Sequence, residues 1–137
     1  MAVVDIILFP VAFLPRLSFV FGALMVAVAV GLSAWHAHGL TSSLDSEAYR
    51  SFGRGLDQQF VAGFGLLAQG LLQAHHPNLL GRLAGLGLLV GAILFCGDVY
   101  LHALQGEALG VAPFGGSLSI LAWLALAIAA LQGSRSG

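Results

Sequence analysis

Lysine is absent from this 137-residue chain, and charged residues of every kind make up only 8%. Soluble domains carry about 25% charged residues. A chain this poor in charge cannot coat a water-facing surface. The five cations, all arginine, are outnumbered by six acidic residues, for a net charge of −1. That balance lacks the basic footprint that phosphate backbones demand, so nucleic acid is excluded as a partner. Cysteine occurs once, as Cys96. A lone thiol excludes an intramolecular disulfide and a multi-thiolate metal site, and it reads as a small buried hydrophobe. Also missing are a phosphate-cradling glycine loop, a nucleophile–base constellation and an inverted internal repeat. No catalytic residues are assigned, and the expectation is a protein that is not an enzyme. The N-terminus has no basic residue ahead of its apolar run and carries Asp5, unlike a secretory signal.

What is abundant is oil. Hydrophobic residues form 58% of the chain. A membrane helix needs about 20 mainly apolar residues, and four stretches qualify: Leu17–Ala37, Leu56–Ala74, Leu83–Leu104 and Pro113–Leu131. They are too long, and alternate too little, for barrel strands. The expected fold class is an all-α membrane protein, a four-transmembrane-helix bundle over residues 17–132 in contact with the lipid bilayer. Residues 1–16 form an apolar segment interrupted by Pro10 and Pro15, and 133–137 a short polar tail. At about 1.5 Å rise per residue, residues 2–14 are too few to cross ~30 Å of hydrocarbon. That segment reads as interfacial, with a kinked extension of the first helix as the other reading.

The connections carry turn chemistry. Leu44-Asp45-Ser46-Glu47 offers helix capping, which predicts a short interfacial helix over Ser46–Phe52 within a polar connection from Gly39 to Gly55. His75-His76-Pro77-Asn78 predicts a turn, and Pro113 suits the first turn of the last helix. With four spans, Arg16, Arg82 and Arg135 share one side and Arg50 and Arg54 the other. The excess of arginine places both termini in the cytoplasm.

Helices in lipid associate through close packing or polar contacts. Gly81/Gly85 and Gly87/Gly91 give two four-residue glycine spacings in the third helix, and Ala122, Ala125 and Ala129 a small-residue stripe in the fourth. Such faces serve packing within the chain or docking on other membrane-protein subunits. Asp98 is the deepest charge. A carboxylate inside a span costs about 2.5–3.5 kcal/mol, so it requires a partner. His102, four residues on, shares its helical face. His36 and His38 end the first helix, and parallel first and third helices bring them to the same side as Asp98 and His102. That set of His36, His38, Asp98 and His102 is a candidate ligand group for a metal ion such as Zn or Cu. The primary expectation is no cofactor.

Three stretches together carry a resemblance: Ala37-His38-Gly39-Leu40 closing the first helix, Phe95-Cys96-Gly97-Asp98-Val99-Tyr100 in the third, and Ala112-Pro113-Phe114-Gly115-Gly116 opening the fourth. Their order and spacing resemble the YgdD-like family of small bacterial inner-membrane proteins, a domain of unknown function, from about Gly22 to Leu131. The resemblance implies four membrane helices, a bacterial inner-membrane location and no assigned activity. It marks His38, Gly39, Gly97, Tyr100, Pro113, Gly115 and Gly116 as motif positions. The chain departs from that pattern at Cys96 and Asp98, where serine is usual, at Ala112, where threonine is usual, at Ala62, which stands for a histidine, and at His36, which replaces a small residue. It therefore resembles a divergent branch. Two functions from different classes follow. One is a non-catalytic accessory subunit of a larger membrane complex. The other is a small transporter or ion-binding protein working through Asp98, His102, His38 and His36.

Overall fold

Cap and breaker residues divide the chain into four helices. In a computed structural model, which describes residues 13–132, these are α1 (Phe13–His38), α2 (Ser46–His75), α3 (Leu79–Gln105) and α4 (Ala112–Gln132). Helix α2 starts where Asp45 turns its carboxylate onto the amides of Glu47 and Ala48, at 3.0 and 2.8 Å. Those are two of the four amides that a helix start leaves without partners. Asn78 does the same for α3, accepting from the Gly81 amide at 2.7 Å. Helix α3 ends at Gly106, whose φ of 76° is the left-handed conformation that glycine adopts without strain.

Two boundaries differ from the sequence reading. No separate interfacial helix covers Ser46–Phe52; the Asp45 cap launches one helix of 30 residues that runs through Gly53 and Gly55 to His75. An interior glycine costs about 1 kcal/mol of helix propensity, and close packing offsets it, as at Gly55 beneath the Tyr100 ring. Helix α1 is already formed at Phe13, so Pro15 and Arg16 lie inside it. Proline is tolerated in a first turn because the amide it lacks has no helical partner there. The expected interfacial segment before Phe13, and the tail at 133–137, lie outside the described residues.

The helices pack in chain order, α1 on α2, α2 on α3 and α3 on α4, with α2 and α4 touching only marginally. Leu14–His38, Leu79–Gln105 and Ala112–Gln132 are long and apolar enough to cross a membrane, with mean hydropathies of 2.2, 2.1 and 2.0. Helix α2 falls short of that measure because it carries Glu47, Arg50, Arg54, Asp57 and four glutamines. It is nevertheless the inner helix of the row. Phe52, Leu56, Gln59, Ala62, Gly63, Leu66, Gln69, Gly70 and Gln73 are buried, a helical repeat against its neighbours.

The outward faces are the reverse of a soluble protein's. Val20, Leu24, Val28 and Val30 of α1 and Ile120, Leu121, Leu124 and Ile128 of α4 are exposed, while Gln59, Gln69 and Gln73 of α2 are inside. Hydrocarbon solvates the aliphatic faces without penalty, whereas an amide turned toward it must find a partner. Glycines bring the backbones close. Gly22 of α1 lies against Gly63 of α2. The α3 glycines serve two neighbours: Gly81 and Gly85 face Gln73 and Gln69 of α2, and Gly87 and Gly91 face Ala122 and Ser119 of α4.

Candidate functional site

The motif residues gather at the end of the molecule where α1 finishes and α2 begins. Gly39 leaves room for the Trp35 indole over the helix end. The His36 ring stacks on Tyr49, centroids 3.9 Å apart, and lies 5.5 Å from Phe52. Its Nε2 donates to the Tyr49 carbonyl at 2.8 Å, which ties α1 to the first turn of α2. Phe52, 1% exposed, sits centrally with Leu40, Leu56 and Ala103, and its ring centroid is 4.7 Å from that of Tyr100.

Below this apolar plug runs a polar chain across three helices. The Tyr100 hydroxyl of α3 donates to Gln59 Oε1 of α2 at 2.7 Å. Gln59 Nε2 donates in turn to the Met25 carbonyl of α1 at 2.9 Å. The Cys96 thiol donates to the Gly55 carbonyl at 3.3 Å. Both carbonyls lie within helices, where an oxygen's second lone pair remains to accept a side-chain donor. Each bond makes burial of a polar group tolerable and fixes one helix against the next.

Asp98 does not pair with His102. Its carboxylate reaches across to the chain returning into α4 and accepts the Leu109 amide at 2.6 Å and the Ala112 amide at 2.8 Å. The carboxylate is buried, yet both oxygens are bonded. The physical reason is a shortage of acceptors. Helix α4 begins with no acidic residue in its first turn, so Asp98 of the neighbouring helix serves as its N-terminal cap. His102 stays exposed in the last turn of α3.

The proposed ligand set therefore does not assemble. His36 is committed to Tyr49, His38 and His102 are exposed, and Asp98 is committed to the loop. Among the described residues, no group of three or more histidine, cysteine or acidic side chains is placed to hold a metal ion. The other motif positions have plain roles or none. Gly115 presses on Gly91 and Phe95, Gly116 lies near the Phe95 ring, and Gly97 faces open space. Pro113 occupies the first turn of α4.

Gln59, Gln69 and Gln73 went unnoticed in the sequence. Their signal was there: they share the helical repeat of Phe52, Leu56, Leu66 and Gly70, which puts amides on a face that is otherwise apolar or small. At the opposite end of the molecule, Gln69 Nε2 donates to the Gly81 carbonyl at 2.9 Å, and Gln73 Oε1 accepts the Asn78 amide at 3.1 Å. Asn78 Nδ2 continues to the Ala129 carbonyl of α4 at 3.1 Å. Gln69 Oε1 and Gln73 Nε2 are buried without a partner.

Comparison with known proteins places this arrangement. Residues 32–116 match the family model described as "Protein of unknown function (DUF423)". The match runs from one turn before His36 to Gly116, so it spans the whole motif end. A UPF0382 membrane protein of Staphylococcus epidermidis is 35% identical over 119 residues, covering 85% of this chain and 97% of that protein. One from Haemophilus influenzae is 33% identical over 100 residues, covering 72% and 80%. One from Bacillus subtilis is 29% identical over 121 residues, covering 85% and 98%. No solved structure matches the chain.

Proposed function

Because the chain belongs to the DUF423 family of proteins of unknown function, we propose its role from its geometry: a non-catalytic accessory subunit that stabilises a larger complex in a bacterial inner membrane. One observation carries the reading. The inward-facing heteroatoms of the motif end are spent on holding helices together: both Asp98 oxygens, the Tyr100 hydroxyl, both ends of the Gln59 amide, the Cys96 thiol and His36 Nε2. A catalytic or ion-carrying site keeps such groups free for its substrate. What stands open to a partner is apolar surface on α1 and α4, at the two ends of the helix row. The transporter reading needed Asp98, His102, His36 and His38 to converge, and no observation favours it.

In this reading α2 crosses the membrane with the other three helices, shielded by α1 and α3. Its 30 residues span roughly 45 Å at 1.5 Å per residue, enough for the hydrocarbon core and one interface. Four crossings put Arg16, Arg82 and Arg135 with both termini in the cytoplasm, and Arg50 and Arg54 outside. Reporter fusions at the two termini and in the Thr41–Asp45 connection test it. Opposite signals from the two termini overturn it.

The subunit role is tested by extracting native membranes in mild detergent and resolving the tagged chain on native gels. Co-migration with a defined complex is expected. Removing the chain should lower the amount of that complex, and re-supply of the wild type should restore it. An Ile120→Ser, Leu124→Ser variant of the α4 outer face should not. Recovery only as an isolated monomer overturns the proposal.

A further inference from the structure

A groove of about 280 Å³ opens between α1, α2 and α3 at the end opposite the motif cluster. Its walls are apolar: Leu17 and Phe21 of α1 face Leu86 and Leu89 of α3. Its floor is not, for Gln69 and Gln73 of α2 line it, each 3% exposed. These amides lie against Gly81 and Gly85, where any side chain on α3 would displace them. Each amide spends one atom on the protein and leaves one buried and unbonded, an acceptor at Gln69 Oε1 and a donor at Gln73 Nε2. Leaving such atoms unpaired costs about 1–3 kcal/mol each, and an unbonded pair in a native structure calls for an unseen partner. The two residues are four apart, on one helix face. Both atoms are closed off as they stand; once the two amides turn toward the groove, a single hydroxyl between them donates to Gln69 Oε1 and accepts from Gln73 Nε2. Arg82, in the first turn of α3, lines the same groove and is exposed. Its guanidinium suits a phosphate.

We propose that this groove binds a single-chain, anionic glycerophospholipid. The acyl chain lies along Leu17, Phe21, Leu86 and Leu89. The free glycerol hydroxyl sits between Gln69 Oε1 and Gln73 Nε2, and the phosphate meets Arg82. Three features select this chemistry together. The volume, about 280 Å³, lies just under the roughly 300–1,000 Å³ of ordinary ligand pockets, which favours one acyl chain over two. A diacyl lipid has esterified the backbone glycerol hydroxyl that the amide pair needs. The amides also lie at the right depth, since Gln73 is within a turn of the end of α2 at His75. The site stands whether or not the chain assembles with other subunits.

The test uses the full-length protein in a neutral mild detergent with palmitoyl lysophosphatidate, whose one free alcohol is the backbone glycerol hydroxyl, as probe. Native mass spectrometry counts bound lipid, and thermal unfolding reads its effect on stability. One adduct per chain and a raised melting temperature are expected. Gln69→Leu with Gln73→Leu should weaken binding by about tenfold or more. Arg82→Ala, at an exposed position that leaves the interior untouched, should weaken it as well. Leu86→Trp should block the groove while leaving both amides in place. A wild-type protein that takes up no probe overturns the proposal and leaves water as the partner of the two amides. Equal uptake by Arg82→Ala and Leu86→Trp overturns the site. Equal affinity for dipalmitoyl phosphatidate, which has no free alcohol, overturns the single-chain assignment.

Discussion

Asp98 shows how one side chain settles the join between two helices. With both oxygens bonded to backbone amides, it fixes where α4 begins relative to α3. Asp98→Ala leaves the Leu109 and Ala112 amides without their acceptor, at up to about 1–3 kcal/mol each where water does not replace it. Its melting temperature in detergent should fall well below the wild type's. Asp98→Asn keeps one acceptor oxygen but turns its NH2 toward the other amide, so it should fall between the two. An alanine variant as stable as wild type removes Asp98 from this role. Tyr100 and Gln59 make a second test. Tyr100→Phe deletes the donor and should lose about 1 kcal/mol. Combined with Gln59→Leu, the losses should add to less than their sum, since each removes the same bond. Strict additivity in that cycle would mean that the 2.7 Å contact contributes nothing.

At the scale of elements, α3 is the spine because it offers a different glycine face to each neighbour. Gly91 abuts the Gly115 carbonyl and Ser119, and Gly22 abuts the Gly63 carbonyl. Backbone cannot retreat as the end of a long side chain can. Gly91→Leu should therefore part α3 from α4, and Gly22→Leu should part α1 from α2. Both are expected to lower the melting temperature sharply. Gly31 and Gly97, which face open space within helices, are the controls. Alanine there removes only glycine's helix penalty and should be neutral or stabilising by about 0.5–1 kcal/mol. Destabilisation at either position would point to a neighbour that this chain alone does not supply.

The molecule as a whole turns its aliphatic side outward and its amides inward, which fits hydrocarbon as solvent. The relatives it matches are named membrane proteins, which fits that solvent. Because His36, His38, Asp98 and His102 do not converge, stripping divalent metal with a chelator should leave the melting temperature unchanged. A large drop on chelation, reversed by Zn or Cu, would restore the metal reading.

Hydrophobic run length alone determined the helical class, the membrane solvent and three of the spans to within a few residues, because lipid thickness and backbone satisfaction leave few solutions. The Asp45 cap and the turn ending at Asn78 were likewise legible, since caps and turns act on their own near neighbours. The extent of α2 was not. Its polar residues read as a connection followed by a span, and only packing between α1 and α3 lets thirty residues with three buried glutamines form one helix. Nor was the partner of Asp98 legible. Spacing within one helix pointed to His102, but the loop returning into α4 brought two backbone amides closer. Backbone donors carry no mark in a sequence, so which of them meets a buried carboxylate is decided by where the next helix docks.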